Sequence, residues 1–507
     1  RKIFILKYYF LISFLLGCLG SLGLAPYNIF IFAILSLSLT LFILEKIDNG
    51  KKAFNIGFFY GLGFYISSLY WISISFKIAN MGGFFLGSLA VLILCTFLSL
   101  FSALTYYLIK SLSIKHNILF NSILIILSFS IFDWIKGNIL WGFPWTPISV
   151  IWSSNSLTLA PFSYLGVWGY SLVTYSLVVG IYLLYKNIKL SIYFVLPFIL
   201  VLLLSNFIPR KFISVAENFH IRLVQPNIKQ IDKWDKTKTL TNLNLLINLS
   251  RHDHKKNMDL VVWPETAVLF DIMDDNSTSL LLKNSFKNIE NIIIGGIRKE
   301  KINKNRKIYN SLFLIDNISN TINYHDKIKL VPFGEYIPFR NVLKNFKILL
   351  GGLDFSSGEK LNYLELNNNV KVLPLICYEV IFPKTTSLSK KNFDLIVNIT
   401  NDAWFGTSRG PYQHLALAKI RTVLEGKYMI RVANTGISTI IDYEGNIVDK
   451  INLGKSGVID KKLVLYKKNT LYNYLGDNIY YALLVALALI LIKINFKYGL
   501  KKKYERK

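Results

Sequence analysis

The stretch LPLICYEVIFP, residues 373–383, places a cysteine at the end of a strand-like apolar run. Its apolar part, Leu373–Ile376, is typical of a buried strand, and Cys377, Tyr378 and Glu379 follow directly. Functional groups in α/β folds collect where strands end. A buried cysteine is usually an inert core residue, but an ionisable glutamate in the same stretch is unusual in an apolar core. The stretch predicts an α/β fold and leaves Cys377 as either a packing residue or a nucleophile.

Cys377 is one of three cysteines, and its surroundings differ from those of the other two. Cys18 and Cys95 lie in apolar runs and are interpreted as small core residues. Cys377 has no second cysteine near it in the sequence for a disulfide, and no CxxC or Cys/His spacing typical of a metal site. We therefore expect neither a disulfide nor a metal at Cys377.

Two further stretches place ionisable side chains after apolar runs. In LVVWPETA, Glu265 follows a strand of the buried type, although an acid at this point is also typical of a helix N-terminus. In YHDKIKLVPFGEY, Lys327 and Lys329 precede Glu335. Solvated lysines are common in this chain, so either lysine by itself is weak evidence of a site.

A carboxylate, an ammonium and a thiol together make a workable set for acyl transfer. A thiol is a weak nucleophile until it loses its proton, and a nearby carboxylate can accept that proton. A lysine ammonium lowers the thiol pKa and stabilises a tetrahedral oxyanion. A Cys–His pair is the alternative, and His414 at a predicted helix start is its best candidate. The fragment His252-Asp253-His254 lacks the further ligands that a metal site needs.

Short β-rich runs alternate with polar helical stretches throughout residues 209–476. Such alternation over about 260 residues predicts one α/β domain. The predicted strands are Ile221–Val224, Leu260–Trp263, Ile292–Gly295, Ser311–Ile315, Val370–Cys377, Leu395–Ile399 and Ile437–Ile441. The predicted helices are Thr237–Ser250, Thr278–Asn288 and Gln413–Gly426.

Long apolar runs fill most of the remaining chain. A mean hydropathy of +0.40 and an apolar content of 52% are high for a soluble protein of this size. A membrane-spanning helix needs roughly 20 mostly apolar residues, so we predict a polytopic α-helical membrane domain with about eight spans. The first run is followed at once by a second, so we expect a span there and not a cleaved leader. The predicted spans are residues 8–24, 28–44, 55–76, 84–109, 118–134, 162–185, 190–208 and 478–496.

Basic residues predict the orientation of these spans. Cytoplasmic loops carry an excess of lysine and arginine, and with an even number of spans all the basic loops fall on one side. Both termini are then cytoplasmic, and the α/β segment lies outside. The predicted domains are residues 1–208 with about seven helices, 209–476 as the catalytic domain, and 477–507 as a last span with a basic tail. The basic loop residues are Arg1, Lys2, Lys7, Lys46, Lys51, Lys52, Lys110, Lys115, Lys186 and Lys189.

The formal net charge of +28 fits this arrangement, since much of it lies beside apolar segments. Lysine greatly outnumbers arginine, and Ile, Asn and Lys are abundant throughout, a bias that an AT-rich genome produces without a charged partner. No basic stripe with a recognition motif accompanies the charge, so we expect no nucleic-acid binding.

These stretches and several others carry a resemblance to a known family. Glu265, Lys327 and Cys377 occur in the order and local contexts of the Glu-Lys-Cys set of the nitrilase superfamily, the carbon–nitrogen hydrolases. Within that superfamily the chain resembles the apolipoprotein N-acyltransferases over nearly its whole length. The motifs are WPETA (263–267), LVPFGEY (330–336), CYE (377–379), NDAWFG (401–406), VQPN (224–227), KWD (233–235), RVANTGIS (431–438) and, in the membrane part, WGFPW (141–145).

The resemblance implies both a fold and an activity. The soluble domain is expected to be a nitrilase-like α-β-β-α sandwich. The enzyme is expected to move a fatty acyl chain from a membrane phospholipid, phosphatidylethanolamine above all, to the N-terminal amine of a diacylglyceryl-cysteine lipoprotein. The reaction would pass through a cysteine thioester, without a cofactor, at the outer face of the bacterial inner membrane. We expect a monomer.

The resemblance also implies the roles of the central residues. Cys377 would be the nucleophile, Glu265 the general base and Lys327 the group that stabilises the oxyanion. Lys327 is selected over Lys329 because it lies eight residues before Glu335, as in the family. Glu335 would orient the lysine or assist proton transfer.

Four supporting residues are expected beside this set. Tyr378 and Glu379 would shape the pocket next to the thiol. Trp234 and Trp404 would contact lipid chains, with ordinary core packing as the alternative. Two rival functions remain: a membrane-tethered amidase of the nitrilase type that uses water as acceptor, and an inactive lipid-binding or scaffold protein. The second rival predicts the loss of one of the three central residues, and all three are present.

Overall fold

The chain divides into two compact units in the computed structural model. The first unit comprises Arg1–Tyr70, Ser88–Pro209 and Thr470–Lys507, and the second comprises Trp71–Gly87 and Arg210–Asn469. The second unit therefore takes in a short segment from between two long apolar helices. The structure describes residues 2–208, 211–251, 258–273, 282, 285–286, 289–302, 305–319, 321–341, 354–383 and 393–504.

Helices occupy the predicted apolar runs, and the run 55–76 is divided between two of them. Among the described residues, five are long and apolar enough to cross a membrane: Gly83–Leu112, Ile118–Asn138, Phe162–Leu183, Ile188–Phe207 and Asn478–Lys497. The polytopic helical region is thereby confirmed, while the total of eight spans stays a prediction. The helices in chain order are α1 (Lys2–Gly20), α2 (Phe30–Glu45), α3 (Gly50–Leu69), α4 (Ile72–Ile78), α5 (Gly83–Leu112), α6 (Ile118–Asn138), α7 (Ser156–Leu159), α8 (Phe162–Leu183), α9 (Ile188–Phe207), α10 (Gln230–Lys233), α11 (Thr239–Arg251), α12 (Gly410–Glu425), α13 (Leu471–Leu475) and α14 (Asn478–Tyr504).

Glycines let α1 and α3 cross at short range. A Cβ atom at Gly17 would lie 2.0 Å from the carbonyl oxygen of Tyr60, and one at Gly63 would lie 2.1 Å from that of Phe14. Both distances are far below a van der Waals contact, so only glycine fits at these points. Close approach through small residues is a common way for membrane helices to associate.

The predicted span 55–76 differs from the structure, because α3 ends at Leu69. The chain then turns, and α4 belongs to the second unit. Trp71 Nε1 donates to Oε1 of Gln413 at 3.2 Å, and Ser75 Oγ donates to the carbonyl of Trp404 at 2.9 Å. These contacts lie within the second unit, and they accompany the interruption of the apolar run.

Two mixed sheets form the second unit. In the part of the chain that the structure describes, each has six strands, in the orders β12-β1-β2-β3-β4-β5 and β11-β10-β9-β8-β7-β6. Strands β1, β2 and β3 run parallel, as do β7, β8 and β9. The strands are β1 (Phe212–Gln225), β2 (Met258–Val262), β3 (Ile289–Ile302), β4 (Asn305–Asp316), β5 (Thr321–Asp326), β6 (Leu364–Glu365), β7 (Lys371–Ile376), β8 (Leu395–Thr400), β9 (Tyr428–Ala433), β10 (Ser438–Ile441), β11 (Ile447–Ile451) and β12 (Gly457–Lys468).

The sheets pack face to face through a core of aliphatic side chains. Leu223 and Val262 of the first sheet share this core with Ile376 and Ile399 of the second. Successive residues of a strand point to opposite faces, so Val261 faces outward and packs with α11. Helix α12 contacts β9 of the second sheet. The predicted α-β-β-α sandwich is confirmed, although most of the predicted helix 278–288 lies outside the described residues.

Candidate active site

Glu265 lies on the loop that follows β2 and is only 5% exposed. Its Oε1 atom accepts a hydrogen bond from Nδ2 of Asn310 at 2.7 Å. The start of the loop is fixed to α11, since Trp263 Nε1 donates to Ser250 Oγ at 2.8 Å. A Cβ atom at Gly295 would lie 2.4 Å from the carbonyl oxygen of Pro264, so this glycine lets the loop approach β3.

Lys327 follows the last residue of β5, and its side chain is 1% exposed. Its Nζ atom lies 2.8 Å from Oε1 of Glu335 and 3.3 Å from Oε1 of Glu265. Burial opposes the charged form, but the carboxylates of Glu335 and Glu265 raise the pKa of Lys327 above its ordinary value. The ammonium is therefore a fixed cation. Lys329 is exposed instead, with Nζ 5.5 Å from the ring centre of Phe382.

Glu335 accepts hydrogen bonds from both Lys327 and Asn310. Its Oε1 atom accepts from Lys327 and, at 3.0 Å, from Nδ2 of Asn310. Its Oε2 atom accepts from the backbone N–H of Val331 at 2.8 Å. Asn310 thus donates to both Glu265 and Glu335, and these four buried side chains form one hydrogen-bonded cluster.

Cys377 follows β7 directly and opens a 3₁₀ helix, Cys377–Ile381. Its φ of +51° is in the left-handed region, and the residue is 9% exposed. The hydroxyl of Thr400, at the end of β8, lies 3.3 Å from Sγ as a donor. Burial and then the Glu265 carboxylate raise the pKa of the Cys377 thiol to about 12, against the opposing effects of Lys327 and the Thr400 hydroxyl. At neutral pH the thiol keeps its proton, so its use as a nucleophile needs a base.

Glu379 connects the segment of the cysteine to the segment of the lysine. Its Oε2 atom accepts from the backbone N–H of Ile376 at 2.8 Å, and Oε1 accepts from those of Ile328 and Lys329 at 2.7 and 3.2 Å. Burial opposes ionisation, but His325 and these N–H groups hold the pKa of Glu379 below its ordinary value. The side chain is buried beneath the site, where it fixes the backbone on both sides.

The other supporting residues are more exposed. Tyr378 is half-buried, with its ring centre 4.9 Å from that of Phe382, and burial raises the pKa of its phenol. Trp234 directly follows α10, and Trp404 lies in a 3₁₀ helix, Asp402–Phe405. Both tryptophans are half-buried, so the predicted lipid contact and the core-packing alternative stay open.

Lys233 was not singled out from the sequence, although it lies in the KWD motif. Its Nζ atom donates to the backbone carbonyl of Glu265 at 2.7 Å, and the residue is 6% exposed. Burial lowers the pKa of Lys233 to about 8, against the carboxylate of Glu265 and the thiol of Cys377. This second buried lysine holds the loop of Glu265 in place.

His414, on α12, lies behind the cysteine. Its Nε2 atom is 3.2 Å from the backbone carbonyl oxygen of Cys377, and its Nδ1 atom is 2.9 Å from Oδ1 of Asp402. The other carboxylate oxygen of Asp402 accepts from Nη2 of Arg431 at 2.9 Å. Burial by itself would raise the pKa of Asp402, but Arg431 and His414 lower this pKa to about 2. Burial and Arg431 lower the pKa of His414, so its ring is neutral at neutral pH.

The described part of the chain contains no group of three or more His, Cys, Asp and Glu side chains arranged to hold a metal ion. His252 and His254 lie outside the described residues.

Comparisons with known proteins agree with this architecture. Residues 16–180 match the apolipoprotein N-acyltransferase N-terminal domain, and residues 220–466 match the carbon-nitrogen hydrolase family. The apolipoprotein N-acyltransferase of Rickettsia prowazekii is 33% identical over 499 residues, which are 95% of this chain and 97% of that relative. The chain belongs to the apolipoprotein N-acyltransferase family. The family member from Rhodopseudomonas palustris is 28% identical over 96% of this chain and 94% of its own length.

Membership of the apolipoprotein N-acyltransferase family confirms the predicted resemblance and an acyltransferase enzyme. It does not favour the alternative of a water-dependent amidase. Among solved structures, Saccharomyces cerevisiae Nit3, a member of branch 10 of the nitrilase superfamily, matches 52% of this chain and 94% of its own, with 21% identity and a TM-score of 0.38.

Proposed function

We propose that this enzyme transfers a fatty acyl chain from a membrane phospholipid to the N-terminal amine of a diacylglyceryl-cysteine lipoprotein, through a thioester on Cys377. The observation that supports it best is the buried cluster in which Lys327 lies 3.3 Å from Glu265, with both groups acting electrostatically on the thiol of Cys377. A base, a fixed cation and a thiol are the three components that metal-free acyl transfer requires.

The first half-reaction acylates the enzyme. Glu265 takes the thiol proton, and Sγ of Cys377 attacks the carbonyl carbon of the phospholipid ester. The ammonium of Lys327 faces the negative oxygen of the tetrahedral intermediate. The bond from carbon to the glyceryl oxygen then breaks, and protonated Glu265 returns its proton to that oxygen. The products are a thioester on Cys377 and a lysophospholipid.

The second half-reaction transfers the chain to the lipoprotein. The acceptor amine attacks the thioester carbonyl, and Glu265 takes a proton from the nitrogen. The carbon–sulfur bond breaks, and the proton passes to Sγ of Cys377. The result is an amide and the original thiol, so no oxidant, reductant or cofactor is needed.

The cluster around Lys327 supports a preorganised role for this residue. Glu335 and Glu265 hold the ammonium on two sides, and Asn310 bonds to both carboxylates. Fixed charges in a site shielded from water stabilise developing charge more than mobile ones do, because they need no reorganisation. Glu335 is accordingly the residue that orients Lys327.

The location of the enzyme follows from its substrates. Residues 1–208 and 477–507 anchor it in the bacterial inner membrane, and residues 209–476 form the catalytic domain on the periplasmic side, with both termini in the cytoplasm. The distribution of loop lysines supports this orientation. The acyl donor is phosphatidylethanolamine, and the enzyme acts as a monomer at the bilayer surface. Anchoring raises the effective concentration of both lipid substrates.

Intact mass tests the proposal. Purified enzyme is incubated in detergent micelles that contain phosphatidylethanolamine, and its mass is expected to rise by one acyl chain. Cys377→Ala, incubated in parallel, should show no increase. Peptide mapping distinguishes Cys377 from Cys18 and Cys95 as the modified thiol. An adduct that persists in Cys377→Ala would show that another residue carries the chain.

The acceptor is tested in a second step. A synthetic diacylated lipopeptide is added to the acylated enzyme, and the adduct should disappear as triacylated peptide forms. Release of free fatty acid with no triacylated peptide would support the amidase alternative instead. A lipopeptide with a blocked N-terminal amine is the matched control and should leave the thioester in place.

A further inference from the structure

The backbone of Cys377 needs an external constraint. Its φ of +51° is in the left-handed region, which is sterically unfavourable for a residue with a Cβ atom. Such conformations persist where surrounding contacts hold them, often at functional sites. The carbonyl oxygen of Cys377 has such a contact, since Nε2 of His414 lies 3.2 Å from it.

The ring of His414 is itself held by a buried charged pair. With the proton of the neutral ring on Nε2, Nδ1 is an acceptor, and Nη2 of Arg431 lies 3.0 Å from it. The same Nη2 atom donates to the carboxylate of Asp402 at 2.9 Å. His414 is 1% exposed, and Asp402 and Arg431 are 0% exposed. The three side chains come from α12, the 3₁₀ helix after β8, and β9, so three separate elements fix one imidazole.

We propose that His414 is a positioning residue, whose Nε2–H group donates to the carbonyl of Cys377 and thereby fixes the backbone that aims the thiol at the substrate ester. This role rests on the proposed function, in which Cys377 is the nucleophile. It also gives the Asp402–Arg431 pair a purpose, namely to orient the imidazole.

The contact argues against His414 as the base of a Cys–His pair. A carbonyl oxygen only accepts hydrogen bonds, so Nε2 must carry a proton to bond to it. A nitrogen that already carries a proton has no lone pair with which to take the proton of the thiol. The base role is thereby left to the carboxylate of Glu265.

Positioning affects a large substrate more than a small reagent. The thiol must reach the ester carbon in a narrow range of distance and angle, and a displacement of about 1 Å can lower a rate about 100-fold. A small alkylating agent approaches from many directions, so its rate depends on the thiolate fraction of Cys377 and not on the orientation of the thiol. Comparing the two reactions therefore distinguishes a change in the position of the thiol from a change in its ionisation.

Two substitutions at His414 test the proposal. In His414→Gln, the amide nitrogen lies near the place of Nε2 and keeps a donor for the carbonyl of Cys377. In His414→Asn, the shorter side chain reaches Asp402 but not that carbonyl. His414→Leu, which fills space without a donor, replaces the asparagine variant if that one does not fold. Formation of the acyl adduct from phosphatidylethanolamine and alkylation of the Cys377 peptide by iodoacetamide are measured across pH 6 to 9.

We expect His414→Gln to form the adduct within about threefold of the wild-type rate and His414→Asn to be about 100-fold slower. Alkylation should stay within about threefold in both, with an unchanged pH profile. Equal losses in the two variants, or no loss in either, would overturn the positioning role. The role would also be overturned if His414→Gln lost acylation and the remaining rate no longer depended on pH as in wild type, since that result assigns the base to His414.

The same experiment distinguishes failure of the proposed function. If the wild-type enzyme forms no adduct on Cys377, the thioester proposal fails and the positioning role falls with it. If the wild-type adduct forms and the two variants do not differ from each other, the positioning role alone fails. Unfolding temperature in detergent is measured for each variant to exclude loss of fold.

Discussion

The Nζ atom of Lys327 lies 2.8 Å from Oε1 of Glu335, nearer than its 3.3 Å distance to Oε1 of Glu265. All three side chains are buried. A buried ammonium between two carboxylates keeps its proton, and its partners raise its pKa for that reason. The lysine is thus a permanent positive charge beside the thiol, suited to oxyanion stabilisation and unsuited to proton transfer.

Replacing Lys327 by methionine should abolish formation of the acyl adduct. The substitution removes the cation that we propose faces the oxyanion, and it leaves the buried carboxylates of Glu265 and Glu335 without a positive partner between them. Loss of one such electrostatic contact typically costs about 100- to 1000-fold in rate. The rate of adduct formation from phosphatidylethanolamine, followed by intact mass, measures the effect.

Lys329→Met is the matched control, because the side chain of Lys329 is exposed only two residues away. Its adduct rate should stay within about twofold of wild type, as for most surface substitutions. Comparable losses in the two variants would show that Lys327 has no special role.

Glu265→Gln should separate the reactivity of the thiol from its use in acyl transfer. The Glu265 carboxylate is the main charged group that raises the pKa of Cys377, so its neutralisation should lower that pKa and speed alkylation by iodoacetamide at pH 8. Acyl transfer should fall by at least about 100-fold, because the proposed general base is lost. Alkylation and acylation that fell together would argue that Glu265 supports the fold and not the proton transfer.

Much of the fold was predictable because its central strands are buried on both faces. The runs at Leu260–Trp263 and Leu395–Ile399 are continuously apolar, as strands covered on both sides are, and they coincide with β2 and β8. The strand β12 was not predicted. Its sequence, GVIDKKLVLYKK, mixes lysines with apolar residues because exposed and buried positions alternate along it.

The candidate site was predictable only in part, because its remaining members are joined through long-range contacts. Asn310 lies in a strand run with no local sign of function, and its bond to Glu265 spans 45 residues. Lys327 and Lys329 are two residues apart, and in a continuous strand both side chains would lie on the same face with similar exposure. The strand ends at Asp326, however, and the following turn buries one lysine and exposes the other.

Glu379→Gln should lower stability in a way that depends on pH. The carboxylate accepts three backbone hydrogen bonds, and an amide has one oxygen with which to accept them, so we expect a loss of about 3 kcal/mol near neutral pH. Because the pKa of Glu379 is held below its ordinary value of 4.5, its contribution is complete above about pH 4.5 and is lost as the pH falls. Thermal unfolding in detergent from pH 7 to pH 3 measures both effects.

The difference between wild type and Glu379→Gln should accordingly shrink below pH 4.5. Glu365→Gln, at an exposed position on β6, is the control and should change stability by less than about 0.5 kcal/mol. A difference that did not vary with pH would mean that Glu379 acts by its shape and not by its charge.

Thr400→Val should make the thiol of Cys377 harder to ionise. The single hydroxyl proton of Thr400 has two acceptors, Sγ of Cys377 at 3.3 Å and Oδ1 of Asp402 at 2.9 Å. Donation to sulfur favours the thiolate, and this bond lowers the thiol pKa against the larger effect of burial. Without the hydroxyl the pKa should rise, and each unit of increase slows alkylation at fixed pH about tenfold. Thr400→Ser keeps the hydroxyl and should follow the wild-type pH profile of iodoacetamide alkylation. If the valine and serine variants reacted alike, the hydroxyl would have no influence on the thiol, and its role would be confined to Asp402.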